Sequence, residues 1–294
     1  MSGGQHSSPA REVIAFAGST LAVEHSGSGA RRVVELLFGR VARAPEASPE
    51  HTLTVLSEPA ADGGGVNGTL LLDGVLQRRC SDLGDLAEQT QAQAAYCLID
   101  GCRNGLVVHA GAVAHEGRGL LLPAASGSGK STLSAWLGTR GFSHGSDELA
   151  HLPAPGGTLE CWQRPIELKQ GGRALIEPLL RGARSEATWL GTPTGCMFDR
   201  ALFASAAGHS HMPLSAIVFP RYRAGAACAL RPLSPAEATS ALLQCTLNAR
   251  HLPGHGLPGC AAWARAVPAF SLVYGSFDGV EQAIAQCLAT APRI

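Results

Sequence analysis

The sequence predicts an α/β protein in two parts: a small N-terminal α+β module over residues 1–82 and a larger α/β domain over residues 83–294. Three observations predict it. An apolar run at 120–122 leads into a small-residue loop closing on Gly129-Lys130-Ser131-Thr132, and a helical apolar pattern follows, which is the strand–loop–helix layout of a phosphate-binding loop. Asp73-Gly74 sits between two apolar runs, a hairpin signal typical of an antiparallel module. Apolar residues make up 45% of the chain and charged residues 16%, a balance that can bury a core over 294 residues.

The elements follow in order. Residues 1–10 are small and polar and predict a disordered tail. Residues 13–17 and 21–24 form a strand pair around Gly18-Ser19. Val33, Val34, Leu37, Phe38 and Val41 recur at the helical period, so residues 29–43 predict a helix that Pro45 ends. Residues 52–56 are strand-like, residues 63–68 a flexible loop, and 69–72 and 75–78 the two arms of the hairpin. A long helix over 85–103 follows, capped by Asp82 or Asp85 and stopped by Asn104-Gly105. A second hairpin, 106–114 and 120–122 around a turn at 115–119, delivers the chain to the loop, and residues 132–139 are the helix after it. Strands are expected at 158–162, 166–168 and 216–219. Helices are expected at 235–251, with Ser234 as cap and Pro235 in the first turn, and at 280–288.

Charge and cysteine content narrow the partners. Lysine plus arginine and aspartate plus glutamate both number 23, so no bulk field favours nucleic acid or an anionic membrane. The nine cysteines form no C-x-x-C pair and read as small buried apolar residues in a reducing compartment. No basic segment followed by an apolar stretch opens the chain, and no apolar run is long enough to span a bilayer. The expected location is the cytoplasm.

The loop residues carry their own chemistry. Gly127 and Gly129 can take positive φ and turn backbone N–H groups inward, and the following helix points its positive end at the same place. Together Ser126, Gly127, Ser128, Gly129, Lys130, Ser131 and Thr132 predict a cradle for a polyphosphate. Lys130 is its point charge and Ser131 a hydroxyl for a Mg²⁺ shell. The first position of the motif is Ala124, tolerable if it keeps negative φ. A carboxylate is needed to hold the metal or accept a proton. The segment 216–219 ends in Pro220 with no acid, so the acidic pair nearest the loop, Asp147-Glu148, is the candidate, returned to the phosphate end by a helix and a short strand.

Taken together, His109-Ala110-Gly111-Ala112-Val113, the Ser-Gly-Ser-Gly-Lys-Ser-Thr loop, Arg140-Gly141-Phe142 and Ser146-Asp147-Glu148 resemble the kinase domain of the HPr serine kinase/phosphorylase family, and more closely the HPr-kinase-related proteins of bacterial biosynthetic clusters, peptide-modifying kinases included. Arg164-Pro165-Ile166-Glu167-Leu168-Lys169, Phe219-Pro220-Arg221-Tyr222 and Leu233-Ser234-Pro235-Ala236-Glu237-Ala238 extend the resemblance over about residues 85–290. It implies a P-loop kinase that uses ATP and Mg²⁺ to phosphorylate a serine hydroxyl. On that pattern Asp147 accepts the hydroxyl proton or shares Mg²⁺ with Ser131, Glu148 assists it, and His109 orients the acid. Arg164 and Lys169 are candidate contacts to phosphate or acceptor. Where full HPr kinase/phosphorylases carry two aspartates this chain has Asp147-Glu148, and their Glu-Val-Arg-Gly-Leu-Gly signature is absent. Phosphorolysis and HPr itself are therefore not implied.

The expected function is transfer of a phosphoryl group from ATP to a serine of a peptide or small protein, in a chain that could assemble as a homo-oligomer. The alternatives are a small-molecule hydroxyl kinase and a nucleotide-binding regulatory or scaffold module with little turnover. A GTPase switch is disfavoured because no Asn-Lys-x-Asp motif is present.

Overall fold

In the computed structural model, residues 9–60, 65–203 and 208–290 are described, and they build a mixed α/β protein on a five-stranded and a larger mixed sheet. The N-terminal chain forms β1 (Ala10–Phe16) and β2 (Ser19–Ser26), then α1 (Ser28–Phe38), β3 (Thr52–Pro59), β4 (Val66–Leu72) and β5 (Val75–Cys80). These strands lie in the order β1-β2-β3-β4-β5, with β3 parallel to β2 because α1 carries the crossover. The hairpin between β4 and β5 turns at Asp73-Gly74, with φ of 52° and 78°, as the Asp-Gly signal requires. Most of the expected tail and residues 63 and 64 of the expected loop lie outside the described residues. Ala10 already belongs to β1, and the loop gives way to strand at Val66.

The first helix is shorter than the periodicity predicts. It ends at Phe38, because beyond it Ala15 and Ala44 hydrogen-bond the segment 42–44 to β1 and Arg43 caps the Phe38 and Val41 carbonyls. The second helix, α2 (Leu83–Gly101), takes Asp82 as its cap, whose carboxylate accepts the Asp85 N–H at 2.8 Å. Leu86, Ala87, Ala94 and Leu98 of α2 pack into one core with Ile14, Val23, Leu53 and Leu70 of the sheet. The same core takes in Leu149, Trp162 and Met197 from the second half, so α2 lies between the two sheets.

The larger sheet begins with β6 (Leu106–His115) and β7 (Arg118–Pro123), followed by α3 (Lys130–Thr139), β8 (Ser143–Ser146), β9 (Leu149–Leu152), β10 (Leu159–Cys161) and β11 (Ile166–Lys169). Then come α4 (Gln170–Ile176), β12 (Trp189–Gly191), β13 (Gly195–Phe198), β14 (His211–Met212), β15 (Leu214–Tyr222), β16 (Ala229–Pro232), α5 (Pro235–Gln244), α6 (Leu257–Ala266), β17 (Ala269–Tyr274) and α7 (Val280–Thr290). Strand order is β14-β10-β9-β6-β7-β15-β17-β16, with β8 also on β6, while β11, β13 and β12 form a small separate sheet. In this sheet β7, β15 and β17 run parallel, flanked by antiparallel strands. The C-terminal ends of these three strands meet at the loop that starts α3, where parallel α/β sheets form their ligand sites.

The helix expected over 235–251 stops at Gln244. Leu247 donates its N–H to the Val107 carbonyl, Thr246 bridges to Val108, and the fully buried Asn248 side chain satisfies the Val107 N–H and the Gly105 carbonyl. Pairing with β6 outcompetes helix propensity there. Ser234 and Glu237 form a complete capping box at its start. The helix α6 and the strand β17 were not expected from pattern. A Gly-Pro-rich entry masks α6, and β17 is a short run that becomes a strand by pairing with β15. All nine cysteines are unpaired, eight of them buried.

Candidate active site

The loop after β7 adopts the conformation its glycines allow. Gly127 and Gly129 have φ of 82° and 88°, and Ala124 is not among the residues with positive φ, so the missing first glycine costs no strain. Gly129 is the N-cap of α3, and the first-turn N–H groups of Lys130, Ser131 and Thr132 have no intrahelical acceptor. A Cβ at Gly129 would lie 2.5 Å from Tyr274 Oη and 3.0 Å from Tyr222 Cβ, so only glycine fits. Tyr274 donates its hydroxyl to the Gly129 carbonyl at 3.2 Å and Tyr222 its N–H to the Ser128 carbonyl at 2.9 Å. The ends of β17 and β15 thus clamp the loop from outside.

On its inner side the loop opens on a cavity of about 600 Å³. Ser126 through Thr132 line one wall, and His109, Glu148, Trp162, Arg164, Glu167 and Lys169 the floor and rim. Glu88, Gln89 and Gln91 of α2 line it as well. Lys130, Ser131, Glu148, His109, Arg164 and Lys169, expected from sequence, therefore share one space. Asp147 does not line it.

That placement reverses the expected order of the acidic pair. Asp147 is fully buried behind the cavity, where its Oδ2 accepts the Glu167 N–H at 3.1 Å. Its Oδ1 lies 3.3 Å from Arg164 Nη2 but makes no hydrogen bond with it, and among the described residues this oxygen has no hydrogen-bond partner. Burial pushes the Asp147 carboxyl up despite Arg164 and Lys130. The acid that reaches the cavity is Glu148, whose side chain is 34% exposed and whose Oε2 accepts from Arg164 Nη2 at 2.9 Å. Burial works against its charge, but Arg164, Lys130 and His109 outweigh it and hold Glu148 below the usual carboxylate range. His109 Nε2 stands 3.7 Å from Glu148 Oε1, a contact to Glu148 rather than to Asp147. Burial and then Lys130 lower its basicity.

Lys130 folds inward, with Nζ donating to the Asp147 carbonyl oxygen, and burial lowers its pKa against the pull of the two acids. Arg164 is the organising cation. Its side chain is 1% exposed, and Nη1 donates to Gln91 Oε1 at 2.8 Å, while Gln91 Nε2 donates to Glu167 Oε2 at 2.8 Å. Arg164 is thus a buried clamp on three carboxylates, not a free contact for a ligand. Burial opposes its charge, yet Asp147, Glu148 and Glu167 leave its pKa raised. Lys169 is exposed at the rim and, among the described residues, its side chain has no ion-pair or hydrogen-bond partner.

Two site residues were not singled out in the sequence. Glu167 lies inside the 164–169 segment but passes for a solvated strand residue. Gln91 carries a signal of a kind: with Ala87, Ala94 and Leu98 it lies on the buried stripe of α2, a polar residue where an apolar one is expected.

The residues fit a phosphate ligand. Among the described residues buried Ser128 Oγ has no partner, the first-turn N–H groups of α3 lie next to it in the chain, and Lys130 lines the same cavity. Ser131 and Glu148 are hard oxygen donors on one cavity, the kind of sparse set that Mg²⁺ takes together with phosphate oxygens.

Fold and site together define a mixed α/β protein with a glycine-rich loop at the end of three parallel strands and an acidic residue lining the same cavity. No known family profile matches the chain. No curated protein matches it either. Among solved structures the chain is similar to the HPr(Ser) kinase/phosphatase from Coxiella burnetii, at 14% identity and a TM-score of 0.32 over 61% of this chain and 94% of that one. A superposition that loose transfers no residue role, so the chemistry rests on the cavity itself. Among the described residues, no helix is long and apolar enough to cross a membrane.

Proposed function

We propose that the protein is an ATP- and Mg²⁺-dependent kinase that phosphorylates a hydroxyl group, a serine of a peptide or small protein, in the cavity between the glycine-rich loop and α2. One observation carries this reading: Lys130, Ser131 and Glu148 line a single space together with the glycine-rich loop from Ser126 to Gly129. Bound Mg²⁺-ATP would supply the phosphoryl group and neutralise part of its charge.

The chain's own residues do the rest. The loop N–H groups and Lys130 bind and orient phosphate oxygens, with no reorganisation needed as charge shifts in the transition state. Glu148, kept ionised by Arg164, is a weak base, so position counts most: it accepts a hydrogen bond from the acceptor hydroxyl and takes its proton late, as the new O–P bond makes that proton acidic, or it would hold the metal. Phosphoryl transfer makes little demand on base strength, since its transition state is loose. His109 sets the orientation of Glu148, and Lys169 offers an exposed charge at the rim. Buried on the far side, Asp147 braces Arg164 and the start of β11. The α2 wall, with Glu88, Gln89 and Gln91, is where the acceptor lies.

The test is triphosphate affinity and transfer of a γ-phosphate label to serine-containing peptides, compared between wild type and Lys130→Ala. The expected result is labelling by wild type and a loss of roughly 10²-fold or more in the variant. A wild-type protein that binds no triphosphate and labels no acceptor overturns the proposal.

A further inference from the structure

The clamp on the outer side of the loop is larger than holding the loop requires. Tyr274 is 2% exposed and makes the hydroxyl contact to Gly129, and its buried phenol is pushed above the usual range. Tyr222 stands edge-on to it, with ring centroids 5.8 Å apart and planes at 67°, yet the residue is 48% exposed. Its backbone N–H is bonded to Ser128, so the ring is fixed on the loop while a face remains open to solvent. Arg221 and Arg223 flank it. Both are exposed, and among the described residues neither side chain has an ion-pair or hydrogen-bond partner. An exposed aromatic face fixed to a glycine-rich loop, with two exposed arginines as its chain neighbours, has the chemistry of a platform for a flat heteroaromatic ring attached to phosphate.

Lys130 and Glu148 line the cavity on one side of the loop. Tyr222 and Tyr274 hold Ser128 and Gly129 from outside and are not part of that lining, so a nucleotide whose terminal phosphate lies in the cavity would place its base beyond the loop to reach them.

We propose that the Tyr222 ring is the nucleobase platform of this site, stacking a purine beyond the loop. This rests on the kinase reading and adds where the base lies and how it is read. Stacking uses the π face that every base has, so ATP and GTP bind about equally.

The experiment is titration of the full chain, as wild type, Tyr222→Ala and Tyr222→Phe, with ATP, GTP and inorganic tripolyphosphate. Tyr222→Ala is expected to weaken ATP and GTP by roughly 5- to 150-fold, the span of one lost base–aromatic stack, with tripolyphosphate unchanged. Tyr222→Phe keeps the ring and is expected to bind ATP as wild type does. Equal ATP affinity in Tyr222→Ala overturns the platform and leaves Tyr222 a lone exposed ring. Equal weakening of ATP and tripolyphosphate also overturns it, because Tyr222 would then only brace the loop. ATP binding more than tenfold tighter than GTP would overturn the indiscriminate stacking. A wild type that binds neither triphosphate nor tripolyphosphate defeats the kinase reading itself.

Discussion

Arg164 Nη2 stands 2.9 Å from Glu148 Oε2, and this contact decides which acid of the Asp147-Glu148 pair is presented to the cavity. Arg164 is held from the other side by Gln91 and Glu167, so the guanidinium cannot turn away. Glu148 is consequently an ionised group at a fixed place, and Asp147 a buried one behind it.

Exchanging the two acids separates their roles. Glu148→Gln is expected to lower phosphoryl transfer by roughly 10²–10⁴-fold while triphosphate still binds. Asp147→Asn leaves an oxygen to accept the Glu167 N–H, and its larger effect is expected on thermal stability. Measuring turnover and unfolding midpoint for both decides it. A greater loss of turnover in Asp147→Asn than in Glu148→Gln would return the catalytic role to Asp147.

Arg164→Ala leaves Asp147, Glu148 and Glu167 without their shared counter-charge in a buried setting. The expected loss is about 3–5 kcal/mol of folding stability, the usual consequence of removing one partner from a buried ion cluster. Urea unfolding measures it. A loss under about 1 kcal/mol would show that the cluster relaxes or takes up protons and that the clamp is not needed.

His144 makes the fold acid-sensitive. It lies on β8, fully enclosed, and burial, with Arg200, Arg164 and Lys130 adding to it, pushes its pKa down from 6.5 to about 3. Below pH 6.5 the unfolded chain therefore binds a proton that the folded chain refuses, so this histidine lowers stability progressively as pH falls toward about 3. Between pH 7 and pH 5 the cost is about 2 kcal/mol. Asp147 and Glu167 are raised by burial and act in the opposite direction, so the informative quantity is the difference between wild type and His144→Gln across the two pH values. Equal pH dependence in both proteins would mean that water reaches the ring.

The candidate site was legible wherever its residues are neighbours in the chain. Ser126 to Thr132 announce a turned-in loop because two glycines, a lysine and hydroxyls at that spacing have few other uses after a strand and before a helix. Asp73-Gly74 and Ser234-Pro235 were legible for the same reason: turns and caps are satisfied within a few residues. Gln91 was not, because its partners Arg164 and Glu167 lie 73 and 76 residues away.

By itself, then, the sequence determined the glycine-rich loop, the hairpins, most helix starts and the presence of an acidic pair near the loop, all set by local backbone preference and short-range hydrogen bonding. Only the tertiary structure decided that Glu148 faces the cavity and Asp147 does not, that Arg164 is a buried clamp, and that the helix after Ser234 ends at Gln244. It also brought α2 and the loop onto one cavity. The physical reason is common to all four. Adjacent side chains diverge from the backbone, and which one is buried depends on what distant segment packs against it: Arg164 and Glu167 against Asp147, β6 against residues 246–248, and the N-terminal sheet against α2.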